Sequence, residues 1–198
     1  MEADVTSGED RILTVPNLLS IIRLLCVPVF LWLLFGRDDE FGAALLLAVL
    51  GSTDWVDGYI ARHFGQVSNL GKILDPTADR ILLLTAIVAI VVSGAVPLWV
   101  AVAALARETL VAMAAIGLGI LGARRIDVTW FGKAGTFGLM FAFPLFLVSH
   151  SDVGWADEAR VLAWICVIPG LVLAWYSAAL YVPIARRALE EGRVSKAV

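Results

Sequence analysis

Six long apolar stretches, separated by short polar segments, dominate the chain. They cover residues 18–35, 41–61, 77–96, 97–121, 133–149 and 160–184. Each is near the length of about 20 apolar residues that a helix needs to cross a bilayer. Because lipid offers the backbone no hydrogen bonds, a membrane segment satisfies its own polar groups as a helix. The pattern predicts an all-α integral membrane protein built as a bundle of six transmembrane helices.

The polar segments between the stretches predict the connections. Residues 36–40 (GRDDE) and 93–97 (SGAVP) are short and rich in turn-forming residues. Residues 150–157 predict a longer loop, in which Trp155 is expected to lie at the membrane interface as an aromatic anchor.

Both ends of the chain differ from its apolar middle. Residues 1–10 are acidic and are predicted to be disordered, and residues 191–198 are predicted to be a basic tail. Apolar and polar positions mix in residues 11–17, which predicts a short segment lying in the membrane interface. Pro16 favours a helix start directly after it. Residues 11–190 are expected to form one membrane domain.

Composition supports the membrane assignment. The 198-residue chain is 60% hydrophobic and 17% charged, with a mean hydropathy of +0.88. An ordinary soluble domain is about half apolar and about a quarter charged. The net charge of −3 argues against a nucleic-acid partner, because such binding needs a basic surface.

Cysteine and histidine do not suggest a metal or redox site. Cys26 and Cys166 lie within apolar stretches, without the close spacing of metal ligands, and are predicted to pack as small apolar residues. His63 and His150 are isolated near the ends of stretches, and no metal role is expected of them.

Basic residues concentrate on one side of the predicted bundle. Those on that side are Arg11, Arg23, Arg62, Lys72, Arg80, Arg124, Arg125, Lys133, Arg186, Arg187, Arg193 and Lys196. The alternate connections contain only Arg37 and Arg160. Since cytoplasmic loops carry the excess of Lys and Arg, both termini are expected to face the cytoplasm.

Four aspartates lie close together in the sequence on that cytoplasmic side. Asp54 and Asp57 are three residues apart at the end of the second stretch, so they share a helical face with the small residues Gly58 and Ala61. Small residues there permit close approach by a second helix or by a ligand.

The other two aspartates open the third stretch. Asp75 precedes Pro76, which is the pattern of an N-cap followed by the first helical residue. Asp79 lies one turn further along the same face. Two neighbouring helices would thus contribute two carboxylates each to a shared cleft.

Crowded carboxylates repel one another and cannot all stay ionised without cations. A ligand set made only of oxygen suits Mg²⁺ or Mn²⁺. A pair of such ions would bind substrate phosphates and stabilise a displacement at phosphorus. Any one aspartate alone has a plainer interpretation as a helix cap, but the four together predict metal-assisted phosphoryl or phosphatidyl transfer.

The string D-x2-D-G-x2-A-R-x8-G-x3-D-x3-D, which runs from Asp54 to Asp79, resembles the signature of the CDP-alcohol phosphotransferase family at every fixed position. The resemblance implies displacement of CMP from a CDP-linked lipid by means of two divalent cations. It implies that Asp54, Asp57, Asp75 and Asp79 are the metal ligands and that Asp79 is also the general base.

The same resemblance implies a nucleotide site and an assembly. Gly58, Ala61 and Gly71 match positions that shape the CDP-binding site, and Arg62 matches an arginine beside the nucleotide phosphates. It further implies a homodimer with CDP-diacylglycerol as donor, located in the plasma (inner) membrane of a bacterium with the site on the cytoplasmic side.

Candidates for the acceptor site come from cations elsewhere in the chain. Arg107 and Glu108 lie halfway through the fourth stretch, and both are expected to face the bundle interior or a polar cavity. Adjacent helical residues point about 100° apart, so the two are not expected to pair simply with each other. Arg107 is left with two roles, contact with substrate or structural pairing. Lys133 and Arg124 are further candidates, with membrane anchoring as the alternative for Arg124.

Residues 16–23 (PNLLSIIR), the Arg107-Glu108 pair and Gly132-Lys133 resemble the branch of the family that makes phosphatidylglycerol phosphate or cardiolipin. Phosphatidylglycerophosphate synthases often carry G-K-x-K-T-x-x-Q, whereas this chain has Gly135 and Leu139 in place of the second Lys and the Gln. Glycerol 3-phosphate and phosphatidylglycerol both stay open as the glycerol-type acceptor.

Two alternatives accompany this prediction. One is an inositol phosphate acceptor, and the other is a transporter whose carboxylates line a cation or proton path. A transporter would spread its carboxylates through the membrane depth, whereas these aspartates are crowded at one end of two helices.

Overall fold

The computed structural model describes residues 15–64, 71–120 and 130–195. The described residues form six helices: α1 Val15–Gly36, α2 Glu40–Phe64, α3 Gly71–Val92, α4 Leu98–Ile120, α5 Trp130–Val148 and α6 Ala156–Ser195. Side chains are described throughout these helices except at 15–17, 19, 54–64, 71–79, 115, 118–120 and 181–195. The predicted N-terminal segment 1–10 lies outside the described residues, as does 11–14.

The described part of the chain is helical and contains no strand, which confirms the all-α class. Two helical segments in it, Trp130–Val148 and Ala156–Leu180, are long and apolar enough to cross a membrane by length and composition. Shorter apolar helical segments are Ser20–Gly36, Glu40–Thr53 and Arg80–Val92.

Residues 93–97 make the tight turn that their composition predicts. Gly94 has a φ of 78°, a left-handed conformation that glycine adopts without steric cost. Its N–H donates to the Val91 carbonyl at 3.0 Å, and the Ala95 N–H donates to the Ile90 carbonyl at 3.2 Å. These two bonds cap the helix end. They end α3 at Val92, four residues before the predicted limit of the third stretch.

The turn between α1 and α2 is also confirmed, and it carries a cap. The Oδ1 atom of Asp39 accepts a hydrogen bond from the Gly42 N–H at 2.8 Å. This satisfies one of the N–H groups that the first turn of a helix leaves without an intrahelical partner.

Three predicted boundaries are wrong. Residues 15–17 belong to α1 and not to a separate interfacial segment, because proline is tolerated in the first helical turn. Asp75 is not an N-cap, since α3 already begins at Gly71. Pro76 has no N–H, so α3 lacks one backbone hydrogen bond near its start. Most of the predicted tail is helical, because α6 continues to Ser195.

The six helices pack in a closed order, in which α1 contacts α2, α2 contacts α5, α5 contacts α6, α6 contacts α4, α4 contacts α3, and α3 returns to α1. All six contribute to the apolar core. It includes Phe30, Ala43, Ile90, Val100, Leu147 and Val167, each of which is buried. Cys166 packs against this core as predicted.

The most extensive contact joins α5 and α6, and it depends on glycine. A Cβ atom at Gly135 would lie 2.7 Å from the Ala174 nitrogen and 2.8 Å from the Gly170 carbonyl oxygen. One at Gly138 would lie 3.2 Å from the Gly170 Cα. The two backbones therefore meet with no side chain between them, which is how small residues bring helices together in membranes.

The exterior of the bundle is apolar on every helix. Large hydrophobic side chains are exposed on each of the six in turn, among them Leu25, Leu45, Val88, Val102, Phe141 and Ile165. Soluble monomers rarely expose apolar patches larger than a few hundred Å². Such a surface indicates association with a membrane.

Replacing Gly135 by Ala should destabilise the protein by about 1–3 kcal/mol, because the new methyl group meets rigid backbone and not a flexible side chain. Gly117→Ala is the matched control: a Cβ there meets nothing within 4 Å, so it should be neutral or slightly stabilising. Thermal unfolding of both variants in detergent, followed by circular dichroism, measures the difference. Equal melting temperatures would contradict the close contact.

Candidate active site

The four aspartates lie where one helix ends and the next begins. Asp54 and Asp57 are in the last turns of α2, and Asp75 and Asp79 are in the first turns of α3. Only residues 65–70 separate the two helices, so both pairs belong to the same end of the bundle. We call it the aspartate end.

The side chains of several predicted site residues lie outside the described part of the structure. These are Asp54, Asp57, Gly58, Ala61, Arg62, Gly71, Asp75 and Asp79, and residue Arg124 also lies outside it. Their assignments to metal, nucleotide and acceptor therefore stay predictions. Among the side chains that are described, no group of three or more His, Cys, Asp or Glu residues is placed to hold a metal ion.

Helix α1, like α5, is a common neighbour of the two helices that carry the aspartates, since it packs against both α2 and α3. Its first half contains two buried polar residues, Ser20 and Arg23, each only 3% exposed. They are three residues apart and so share one helical face.

Arg23, which the sequence places among the basic residues of the cytoplasmic side, is buried within the bundle. A guanidinium removed from water needs hydrogen-bonding or anionic partners within the protein. The sequence feature that indicates this burial is the spacing of Ser20 and Arg23, which puts two polar residues on one face of an apolar helix. Sequence reasoning missed both as residues of the bundle interior.

Arg107 faces the interior of the bundle, as predicted. It is 7% exposed, and its Nε atom donates to the Ala174 carbonyl of α6 across a distance of 3.4 Å. The bond ties the middle of α4 to α6. It places a cation in an apolar interior, where an unpaired charge would be strongly unfavourable.

The expectation that Arg107 and Glu108 do not pair is wrong. Nη1 of Arg107 lies 2.8 Å from Oε2 of Glu108. Their Cα–Cβ bonds do diverge, but both side chains are long enough to turn back towards each other. Glu108 is the more exposed partner, at 44%, so the pair joins the buried interior to a more open region.

Three helices converge on Ala174. Arg107 of α4 donates to its carbonyl, and Gly135 of α5 packs against its backbone nitrogen. One turn further along α6, Ser177 is fully buried. The described interior therefore brings Arg107 close to the segment of α5 that begins with Gly132 and Lys133.

That segment presents two different faces. Gly132 and Gly135 are buried, whereas Lys133 and Thr136 are exposed. The Thr136 hydroxyl donates to the Gly132 carbonyl at 3.0 Å, which occupies its proton within the helix. Lys133 is therefore accessible to a ligand at the start of α5.

Comparison with known proteins identifies the wider group. The sequence model of the family described as CDP-alcohol phosphatidyltransferase matches residues 13–182. A Streptomyces coelicolor protein named cardiolipin synthase (CMP-forming) is 44% identical over 187 residues, which cover 90% of this chain and 85% of that protein.

More distant relatives carry two different names. A Mycobacterium tuberculosis protein named as a candidate cardiolipin synthase is 36% identical, over 87% of this chain and 83% of its own length. The Haemophilus influenzae protein named CDP-diacylglycerol–glycerol-3-phosphate 3-phosphatidyltransferase is 28% identical, over 88% of this chain and 95% of its own.

Proposed function

The chain belongs to the CDP-alcohol phosphatidyltransferase family, and we propose that its acceptor is phosphatidylglycerol, so that the products are cardiolipin and CMP. It is a membrane-associated phosphatidyltransferase that moves the phosphatidyl group of CDP-diacylglycerol to a glycerol-type acceptor. This reaction class sets the transporter alternative aside. The choice of acceptor rests on one observation above all, the packing of Gly135.

Gly135 occupies the position of the second lysine in the string G-K-x-K-T-x-x-Q. A Cβ atom there would collide with the α6 backbone at Gly170 and Ala174, so no longer side chain fits in this helix arrangement. Leu139, which occupies the position of the glutamine, packs against the apolar core. The departure from the string is thus a replacement of polar ligands by close helix packing.

This replacement lowers the positive charge available to an acceptor. Glycerol 3-phosphate is a phosphate monoester, which carries about −1.5 to −2 charges at neutral pH, like a phosphorylated side chain. Phosphatidylglycerol is a diester with a single charge and two apolar chains. A site with one lysine fewer, enclosed by apolar helices, suits the diester better.

Glycerol 3-phosphate is the second candidate. Lys133 is exposed at the start of α5, and Arg107 is retained beside Ala174, so two cations are still available to a small phosphorylated acceptor. The relative from Haemophilus influenzae, whose name specifies glycerol 3-phosphate, supports this candidate. An inositol phosphate acceptor has no such support and serves as a comparison in the test.

The four aspartates provide oxygen-only ligands, the donor set that Mg²⁺ and Mn²⁺ prefer. Two divalent cations bound there would neutralise phosphate charge and orient the diphosphate for in-line displacement. Arg62 would bind the phosphates of the nucleotide, while Gly58, Ala61 and Gly71 leave room for the cytidine part, as the family resemblance implies.

Proton transfer is assigned to Asp79. As the acceptor hydroxyl oxygen bonds to the β-phosphorus, this carboxylate accepts its proton. The bond between the β-phosphorus and the oxygen bridging to CMP breaks, and CMP leaves with the electron pair. Arg107 and Lys133 would hold the phosphate of the acceptor, with Arg124 as a further candidate.

The arrangement in the membrane follows from the exterior surface and the distribution of basic residues. We infer six transmembrane helices, because exposed apolar side chains occur on all six. The excess of Lys and Arg supports placing both termini and the aspartate end on the cytoplasmic side of the bacterial plasma membrane. A homodimer is proposed from the family resemblance alone.

Parallel assays test the acceptor. The purified protein receives radiolabelled CDP-diacylglycerol and Mg²⁺ with phosphatidylglycerol, glycerol 3-phosphate or inositol phosphate, and the lipid products are separated by chromatography. We expect labelled cardiolipin as the main product. Phosphatidylglycerol phosphate as the main product would shift the assignment to the second candidate.

A metal control accompanies each of these assays. EDTA should abolish the transfer, and added Mg²⁺ or Mn²⁺ should restore it, because the crowded aspartates need cations. Undiminished turnover in EDTA would exclude the metal-dependent mechanism while leaving the acceptor result intact.

Asp79→Asn should lower kcat by at least about 10², which is the low end of what a positioned general base contributes. The amide keeps the size of the side chain but cannot accept the proton. CMP binding in the presence of Mg²⁺, measured by thermal stabilisation, is the control for an intact site. A variant that binds CMP and turns over at the parental rate would show that another group is the base.

Arg107→Lys separates a substrate role from a purely structural one. The change keeps the charge but loses the planar guanidinium, so the KM for phosphatidylglycerol should rise by about tenfold, the equivalent of one charge-assisted hydrogen bond. The KM for CDP-diacylglycerol should stay unchanged. Glu108→Gln is the control, since it removes the ion pair and retains Arg107. A lower melting temperature with both KM values unchanged would indicate a structural role only.

A further inference from the structure

A cavity lies at the end of the bundle opposite the aspartates. It is open to the surface and has a volume of about 250 Å³. Its lining residues are Gly94, Ala95 and Pro97 of the turn, Phe146, Ser149 and His150 at the end of α5, and Arg160 and Trp164 of α6. Asp79 lies thirteen positions before Val92, the last residue of α3, which amounts to about 20 Å at 1.5 Å per residue. The cavity is therefore distinct from the proposed active site.

Arg160 is the charged group of this cavity. Its side chain is exposed, and its Nη2 atom makes one long hydrogen bond, 3.5 Å, to the Ser149 carbonyl. Within the described residues, no carboxylate oxygen lies within 4.0 Å of the guanidinium. Most of its donors are thus available to a ligand with anionic oxygens, which arginine binds through paired hydrogen bonds.

His150 lies beside Arg160 in the lining and is oriented by its neighbours. Its Nδ1 atom is 3.1 Å from the Phe146 carbonyl and 3.2 Å from the Ser149 hydroxyl oxygen. The Ser149 hydroxyl itself donates to the Phe146 carbonyl at 2.7 Å. With Nδ1 engaged by this backbone turn, Nε2 is the ring nitrogen left to contact a ligand.

The wall next to these polar groups is aromatic. Trp164 packs edge-on against Phe146, with ring centroids 5.4 Å apart, and stacks on Trp99 at 5.9 Å. Trp99 is itself exposed on the outer surface of α4. Tryptophan concentrates at the level of lipid headgroups, where one side of the ring meets apolar chains and the other meets water.

Three acidic residues occur near the cavity in sequence. Asp152, Asp157 and Glu158 belong to the loop before α6 and to its first turn, and none of them lines the cavity. Their charge disfavours a free, multiply charged anion in bulk solution. The same negative charge disfavours a singly charged phosphodiester much less, and the membrane supplies such a diester at high local concentration.

We propose that this cavity binds the phosphate of a phospholipid headgroup in the leaflet opposite the aspartate end. The Arg160 guanidinium binds the phosphate oxygens, Nε2 of His150 contacts the same group, and Trp164 with Trp99 packs against the glycerol and the upper acyl chain. The lipid bridges the turn between α3 and α4 to the start of α6. This site lies outside the transfer reaction.

The test uses a lipid that is neither donor nor acceptor in the proposed reaction. Purified protein in detergent is titrated with dioctanoylphosphatidylethanolamine, and bound lipid is counted by native mass spectrometry. EDTA is present throughout, so that the metal-dependent site does not contribute. We expect saturable binding that Arg160→Gln weakens by at least about tenfold, the equivalent of one charge-assisted hydrogen bond.

Arg37→Gln is the matched control. Arg37 is an exposed arginine at the same end of the bundle, lies over the Trp32 ring at 5.3 Å and does not line the cavity. Its loss should leave binding unchanged. Equal affinity of Arg160→Gln and the parent protein would overturn the proposal, and so would an equal loss in both variants.

Two further arms complete the test. His150→Leu should weaken binding by about two- to tenfold, as expected for one neutral hydrogen bond, and it reports on the site even where Arg160→Gln lowers stability. Inorganic phosphate replaces the lipid in a second titration. Arg160-dependent binding of phosphate without binding of the lipid would overturn the lipid as the ligand. Phosphatidyl transfer should be unchanged in all three variants, which separates this site from the proposed function.

Discussion

The interior of this protein depends on the direct contact between the backbones of α5 and α6. Gly135 and Gly138 on one helix and Gly170 on the other leave no side chain between them. Ordinary helix pairs are kept about 8–10 Å apart by the side chains at their contact. Removing those side chains lets α6 approach closely enough that Ala174 becomes the common neighbour of Gly135 and Arg107. The close packing of α5 against α6 thus determines where the buried Arg107 side chain lies.

Buried arginines are the second constraint on this interior. Arg23 in α1 and Arg107 in α4 are nearly inaccessible to solvent within a bundle whose core is otherwise apolar except for a few serines. Such groups are unfavourable unless partners within the bundle replace their water. For Arg107 the replacement is visible, since Glu108 and the Ala174 carbonyl both accept from it. An enzyme of phosphate-containing substrates has a reason to retain cations at such a cost.

The apolar pattern predicted the helices well, because it extends over long segments and does not depend on single residues. It predicted boundaries less well. The start of α3 at Gly71 and the end of α6 at Ser195 extend beyond the apolar stretches, since a helix continues wherever its backbone bonds do. The end of α3, in contrast, comes earlier than the apolar stretch predicts, because the cap at Gly94 ends the helix inside that stretch.

The sequence likewise predicted some features of the candidate site and not others. Residue types and spacing were enough to predict the reaction class, phosphatidyl transfer, which the family match confirms. The roles of the four aspartates stay predictions. Spacing could not predict the pairing of Arg107 with Glu108, since long side chains are not confined to the direction of their Cβ atoms. Nor could it reveal that Gly135 occupies a lysine position for reasons of packing, which requires knowing where α6 lies.

Charge balance connects these features. Four ionised aspartates carry four negative charges at one end of the bundle, and the substrate's diphosphate adds more. The cations proposed for the site supply four positive charges, and one of them, Arg107, already shares its charge with Glu108. They are Arg62, Arg107, Arg124 and Lys133. These four charges do not balance the four carboxylates together with the substrate phosphates, and like charges at this density cannot all stay ionised. Gly135 stands at the position of the second lysine of G-K-x-K-T-x-x-Q, so the site has one positive charge fewer. Divalent cations add positive charge to the site, and an acceptor with a single charge adds little negative charge. The proposed reaction has both features, so the excess of negative charge stays small.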